Sequence, residues 1–183
     1  DSIRTKILNS PIPVYAFIDN NAASAGALIS MACDSVYMRP GGSIGAATVV
    51  NGIDGSKMPD KYQSYMRSTM RATAESHGRD EQGRWHRDPL LAEAMVDEDV
   101  VIPGVVDSGK ILTLTTEEAM HLRLCEGKAS SIDEVANIVC GNDYVIEQYQ
   151  PTKIEEAKGF LLSTTLRGLL IMIILGGIYF EMQ

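Results

Sequence analysis

Apolar and polar positions divide the chain into short segments that alternate in type. Val14 to Ile18, between Pro13 and the polar Asp19-Asn20-Asn21, is apolar and turn-bounded, the pattern of a buried parallel strand. Ser24 to Cys33 then reads as an Ala-rich apolar helix, and Ser35 to Met38 as a second short strand. Arg39 to Gly42 has turn chemistry, Ile44 to Val50 is extended and partly apolar, and Asn51 to Ser56 is a polar, Gly-containing loop. The clearest helix is Asp60 to His77. Pro59 and Asp60 start it, Tyr62, Met66, Met70 and Ala74 recur at one-turn spacing, and Gly78 stops it. Asp88-Pro89 opens a helix to about Val96, and Ile111 to Leu114 is a strand. Thr115-Thr116-Glu117-Glu118 is a capping box leading into a helix to Leu124, and Ser131 to Glu134 repeats the device. Strands alternating with helices in this way specify an α/β domain.

Both ends read as cuts through longer elements. Ile3, Ile7 and Leu8 fall at helical spacing with no cap before them, as in a chain that starts inside a helix. Phe160 to Phe180 is a 21-residue stretch with Arg167 as its one charge. A membrane span needs about 20 apolar residues, so this stretch is read as the start of a transmembrane helix. A buried or interfacial helix is the alternative, because Arg167 is costly at mid-bilayer unless it snorkels. The expected organisation is an α/β domain over residues 1–150, a charged linker over 151–158 and the apolar segment over 159–183.

Composition narrows the function classes. A formal net charge of −8 and a pI near 4.8 argue against nucleic acid as a partner, since phosphate backbones require a concentrated cationic face. Arg67, Arg71, Arg79, Arg84 and Arg87 cluster in sequence and are read as a solvated face. Cys33, Cys125 and Cys140 show no paired spacing, so neither a zinc site nor a disulfide framework is expected. Cys33 and Cys140 lie in apolar stretches and are read as buried thiols. No metal and no cofactor is expected.

Candidate chemistry centres on Asn21-Ala22-Ala23-Ser24-Ala25-Gly26-Ala27. A serine between small residues, after a strand and at a helix start, projects its hydroxyl from the sheet end and lets a peptide carbonyl approach closely. The Ala25 amide at that helix start can face a developing oxyanion. A plain N-cap serine is the competing reading. The serine needs a proton acceptor. His77 ends the long helix and is read as a capping residue, while His86 and His121 lie among polar neighbours and are read as surface. Lys61 lies in the first turn of the long helix, with Met58, Pro59, Tyr62 and Met66 as apolar neighbours. A lysine base must be neutral near its working pH, and moving its pKa from about 10.4 to about 7.5 costs about 4 kcal/mol. An ordinary surface lysine is the alternative for Lys61.

The segment Pro13 to Ile29 resembles the nucleophile region of the ClpP, SppA and NfeD proteases, in which a strand is followed by Ala-Ser-Ala-Gly and a helix. The resemblance to NfeD-type membrane-bound proteases continues through four further features. These are Ser43-Ile44-Gly45-Ala46, the variable loop to Lys61, the helix ending Glu75-Ser76-His77-Gly78-Arg79, and Leu112 to Ala119. It implies a crotonase/ClpP-like fold lacking its N-terminal half and a Ser24–Lys61 dyad, with Lys57 as the fallback base. It also implies an oxyanion hole completed by an earlier Asp-x-Pro-Gly-Gly loop that these residues do not include, so that the fragment by itself is expected to be inactive. The implied partners are apolar peptide segments as substrates, a stomatin-like membrane protein, a membrane and further copies of the chain. The implied location is the bacterial inner membrane, with the protease domain on the non-cytoplasmic side. Two rival functions stand beside this one: a catalytically silent membrane-microdomain scaffold, and an acyl-CoA enzyme of the same fold.

Overall fold

The structure is a computed structural model that describes residues 2–182. It divides into two compact units, Asp1–Tyr144 and Val145–Gln183. In the first, α1 (Ser2–Leu8) precedes β1 (Tyr15–Ile18), β2 (Asn21–Ala23) and α2 (Ala25–Ala32). β3 (Ser35–Met38), β4 (Ser43–Gly45), α3 (Asp60–Glu75) and α4 (Pro89–Ala94) follow. The unit closes with β5 (Thr113–Thr115), α5 (Thr116–His121), β6 (Gly127–Lys128) and α6 (Ile132–Cys140).

Two three-stranded sheets organise these elements. One has the order β1-β3-β6, all parallel, with Ile18 opposite Met38. The other has the order β2-β4-β5, with β2 parallel and β5 antiparallel to β4, and Ile44 opposite Leu114. Apolar side chains of both sheets enter one core with the helices that cover them. Val36, Met38, Ile44 and Leu114 from the strands, Met31 from α2, Met70 from α3 and Met95 beyond α4 are all buried there. The strand expected at Val14 to Ile18 forms and is parallel, but it is a sheet edge, and only Ile18 is fully buried.

Local chemistry sets the helix boundaries. Asp88 caps α4 by accepting from the Leu90 amide, with Pro89 at the first helical position. Thr115 and Glu118 form a reciprocal capping box on α5, and Ser131 caps α6 through the Glu134 amide. The expected one-turn stripe of α3 holds at Met66, Met70 and Ala74 and fails at its first position. Tyr62 is exposed and Gln63 is buried in its place, followed by Met70, Thr73 and Ala74.

Three other expectations change. Cys140 is exposed on α6, because the buried face of that short helix is set by Val135. Arg87 is only 2% exposed. Its guanidinium donates to the carbonyls of Leu124 (2.9 Å) and Cys33 (3.2 Å) and meets Glu126 at 3.4 Å. It therefore sits inside, where its terminal nitrogens satisfy main-chain carbonyls after α2 and α5 while its Nε stays unpaired, and not on a solvated face. His77 is half-buried beyond α3, and its Nε2–H donates to the Met31 carbonyl at 2.7 Å, fastening α3 to α2.

In the second unit, Thr152 and Glu155 form a capping box on α7 (Lys153–Leu161), so the charged stretch is helical. α8 (Thr164–Glu181) has 18 residues and a mean hydropathy of 1.4, long and apolar enough to cross a membrane.

Candidate active site

Ser24 stands at the corner between β2 and α2 with φ 55° and ψ −119°. A positive φ is unfavourable for a residue bearing a Cβ, so the surrounding structure must hold it. The Ser24 amide does so by donating to the carbonyls of Gly45 (3.2 Å) and Ala46 (3.1 Å). The next turn is itself unusual. Gly45 has φ 142° and Ala46 φ 46°, and the Ala46 amide donates to Leu112 at 3.0 Å. Gly45 is required there, because a methyl group would overlap the Leu112 carbonyl oxygen and lie 2.8 Å from Thr113 Cα. Two of the three non-glycine residues with positive φ among those described, Ser24 and Ala46, therefore lie in one corner. Backbone strain of this kind, worth about 1 to 3 kcal/mol per residue, concentrates at functional sites.

The corner removes the simplest alternative for Ser24. Its side chain makes no capping hydrogen bond to α2, and the residue is exposed. Its own carbonyl accepts from Ala27 at 3.1 Å, which starts the helix. The Ala25 amide belongs to the first helical turn, where no carbonyl lies one turn back to receive it.

Ser24 opens onto a groove of about 360 Å³, within the size range of small-molecule clefts. Ala25 and Leu28 of α2 form one wall, Ala47, Val49 and Val50 the floor, and Tyr65, Met66 and Thr69 of α3 the other wall. The lining carries no charged side chain. A larger hollow of about 480 Å³ between β1 and α6 is lined by Tyr15, Phe17, Val135 and Cys140 among others. It has no strained backbone beside it.

The floor is held from behind. Gln63, 1% exposed, accepts from the Val49 amide through Oε1 at 3.0 Å. Its Nε2 donates to the Val49 carbonyl at 2.7 Å and to the Met58 carbonyl at 3.1 Å. One side chain thus pairs with both main-chain groups of Val49, as a neighbouring strand would. Sequence analysis missed this residue. The signal was present: Gln63, Met66, Met70 and Ala74 share one helix face, and a lone amide on a buried face must be fully bonded.

The two lysines are placed differently from the serine. Lys61 is in the first turn of α3 and exposed, with Nζ 4.8 Å from the centroid of the Tyr62 ring. It shares a helix face with Tyr65 at i+4, one turn away from the groove wall, and is not among the groove-lining residues. Lys57 is drawn elsewhere. Its ammonium lies 2.7 Å from Glu98, whose hydrogen bond raises the Lys57 pKa, the opposite of what a base needs. His86 and His121 are exposed. Burial, reinforced by the Arg87 charge, lowers the His77 pKa. No group of three or more metal-ligating side chains occurs among the described residues.

Comparison with known proteins gives a family and a fold. The NfeD1b N-terminal domain family matches residues 1–149. The membrane protein NfeD1b of Bacillus subtilis (strain 168) is 36% identical over 127 residues, which cover 69% of this chain and 27% of that protein. The chain therefore spans about a quarter of the length of this relative. Among solved structures, a serine-to-alanine variant of the 1510-N membrane-bound stomatin-specific protease is similar with a TM-score of 0.56 and 26% identity, over 74% of this chain and 59% of that one. A lysine-to-alanine variant of a 1510-N membrane-bound stomatin-specific protease, in complex with a substrate peptide, is similar with a TM-score of 0.60 and 22% identity, over 86% and 74%. The first unit thus has the α/β, ClpP/crotonase-like fold of the NfeD-type protease domain. The chain belongs to the NfeD1b family, its residues 1–149 matching that family's N-terminal domain.

Proposed function

We propose that the full-length protein is a membrane-attached serine endopeptidase that cleaves apolar peptide segments with Ser24 as nucleophile and Lys61 as base. The observation that carries this reading is the Ser24 corner, with a strained φ of 55°, no capping bond and a position on the apolar groove. In the first step Ser24 Oγ bonds to the peptide carbonyl carbon while its proton passes to Lys61 Nζ. The oxyanion is met by the Ala25 amide, a donor of a kind worth about 3 to 4 kcal/mol in the transition state. The C–N bond then breaks as the lysine proton goes to the leaving amine. Water next attacks the serine ester with Lys61 taking its proton, and that proton returns to Ser24 Oγ as the ester C–O bond breaks.

Burial is what makes a lysine an effective base, and Lys61 is exposed. The reading therefore requires substrate or a neighbouring copy to cover the first turn of α3 and turn the side chain toward the groove. Homo-oligomerisation is part of the proposal for that reason. A stomatin-like membrane protein is the proposed partner, supported by the stomatin specificity of the structural neighbours. The proposed location is the bacterial inner membrane, with this domain on the non-cytoplasmic side, and α8 supplies a segment able to span.

The exposed Lys61 also favours a second reading, a catalytically silent scaffold at the membrane. Labelling by a fluorophosphonate separates the two. The full-length protein is expected to label at neutral pH, and its Ser24→Ala and Lys61→Ala variants are not. A folded full-length protein that does not label would favour the scaffold.

A further inference from the structure

The apolar floor of the groove is not part of a regular sheet. Ala47 to Val50 follows β4 after the left-handed Ala46 and has no strand on its flank at Val49. The flank is closed by Gln63, which takes both main-chain groups of Val49 and the Met58 carbonyl in three hydrogen bonds. Beside it stand the Met58 amide, which donates to the Val49 carbonyl at 3.0 Å, and the Val50–Lys57 bridge. The Gln63 side chain also holds the Met58 end of the exposed loop 51–56, through the Met58 carbonyl. Gln63 stands two residues after Lys61 and three before Met66, a groove residue.

We infer that Gln63 is a positioning residue: it fixes the Val49 backbone so that the groove floor receives an extended peptide beside Ser24. The inference rests on the peptidase reading and adds the residue that determines substrate placement. Gln63 touches neither Ser24 nor the reacting bond. Its loss should therefore misplace a long substrate more than it blunts the serine. An isosteric apolar side chain such as methionine fills the site but takes away the Gln63 partner of the Val49 amide and of the Met58 carbonyl. It leaves the Val49 carbonyl only its bond from the Met58 amide, so the floor can shift or fray.

The test compares two reagents on the full-length protein and its Gln63→Met variant. A small fluorophosphonate needs only an activated Ser24, while an extended apolar peptide also needs the floor. We expect kcat/KM for the peptide to fall about 30-fold or more, carried mostly by KM. Fluorophosphonate labelling should stay within about 3-fold, and hydrogen exchange should show the Val49 amide losing protection while the α3 amides keep theirs. Peptide cleavage and labelling that fall together, or neither falling, would overturn the inference and leave the peptidase reading standing. A parent protein that fails to label overturns the reading itself, and with it this role for Gln63. If Gln63→Met does not fold, Gln63→Glu serves. It keeps the shape and the acceptor for the Val49 amide, loses both donated bonds, and is expected to show the same split.

Discussion

The two sides of the Ser24 groove are built to different standards. On the α2 side the serine is fixed by two hydrogen bonds to its amide, by a neighbouring turn that only glycine can complete, and by a helix that starts at its carbonyl. On the α3 side the lysine is exposed and rests against the ring of its own neighbour, Tyr62. Ser24 is thus held by the fold, whereas Lys61 is not. On the proposed reading, such a division would hold the serine ready and withhold proton transfer until a substrate or partner covers the lysine.

The sharpest way to break this comparison is to remove the lysine. If Lys61 is the base, Lys61→Ala should slow fluorophosphonate labelling of Ser24 by about 10²- to 10⁴-fold. Because Lys61 is exposed, folding stability should change by no more than about 0.5 kcal/mol. Equal labelling in parent and variant would mean that the rigid side works without the open one. On the α2 side, Gly45→Ala is expected to cost about 3 kcal/mol or more, since the new methyl meets backbone atoms at a left-handed φ. Urea denaturation measures the loss. A cost below about 1 kcal/mol would show that the corner is more pliant than its geometry implies.

The same division decided what could be read from the sequence. The Ser24 corner was legible because its small residues and the start of α2 occur in one continuous stretch. Such local order survives in a pattern even though β2, the strand entering the corner, was not seen. The capped helices starting at Pro89, Thr116 and Ile132 were legible for the same reason. Residues whose roles depend on distant partners were not. Arg87 looked like one more surface arginine, because the carbonyls that receive it come from Cys33 and Leu124. His77 looked like a helix cap, yet its partner is Met31. β2 was hidden by its polar start at Asn21, and β6 is only two residues long, too short for any periodicity. The burial of Gln63 was missed because Tyr62 fits the apolar stripe better by composition, while the helix turns Gln63 inward.

A smaller effect probes the strain stored at the serine. Ser24→Gly removes the Cβ that makes φ 55° unfavourable. The relief of about 1 to 3 kcal/mol exceeds the added unfolded-state entropy of glycine, about 0.5 to 1 kcal/mol. A net stabilisation of about 1 kcal/mol is expected by urea denaturation, together with complete loss of labelling. Ser24→Ala keeps the Cβ and should be nearly neutral. If both variants have the stability of the parent, the corner is unstrained and the argument for a held nucleophile weakens.

The smallest effect appears only in acid and concerns the tie between the two sides. His77 joins α3 to α2 through the Met31 carbonyl. Burial lowers its pKa first and the Arg87 charge second. The Met31 hydrogen bond, Asp34 and Glu126 oppose them without reversing the shift. As pH falls through the unfolded value of about 6.5, the unfolded chain therefore takes up this proton before the folded one. His77 costs no stability above that pH, an increasing amount below it, and no further amount once pH has passed below the folded-state pKa. His77→Gln keeps a donor for Met31 and removes the titration. Urea denaturation of both proteins from about pH 8 to about pH 5 should show the parent losing stability relative to the Gln variant below about 6.5. Parallel curves would show that protonation of His77 costs the fold nothing.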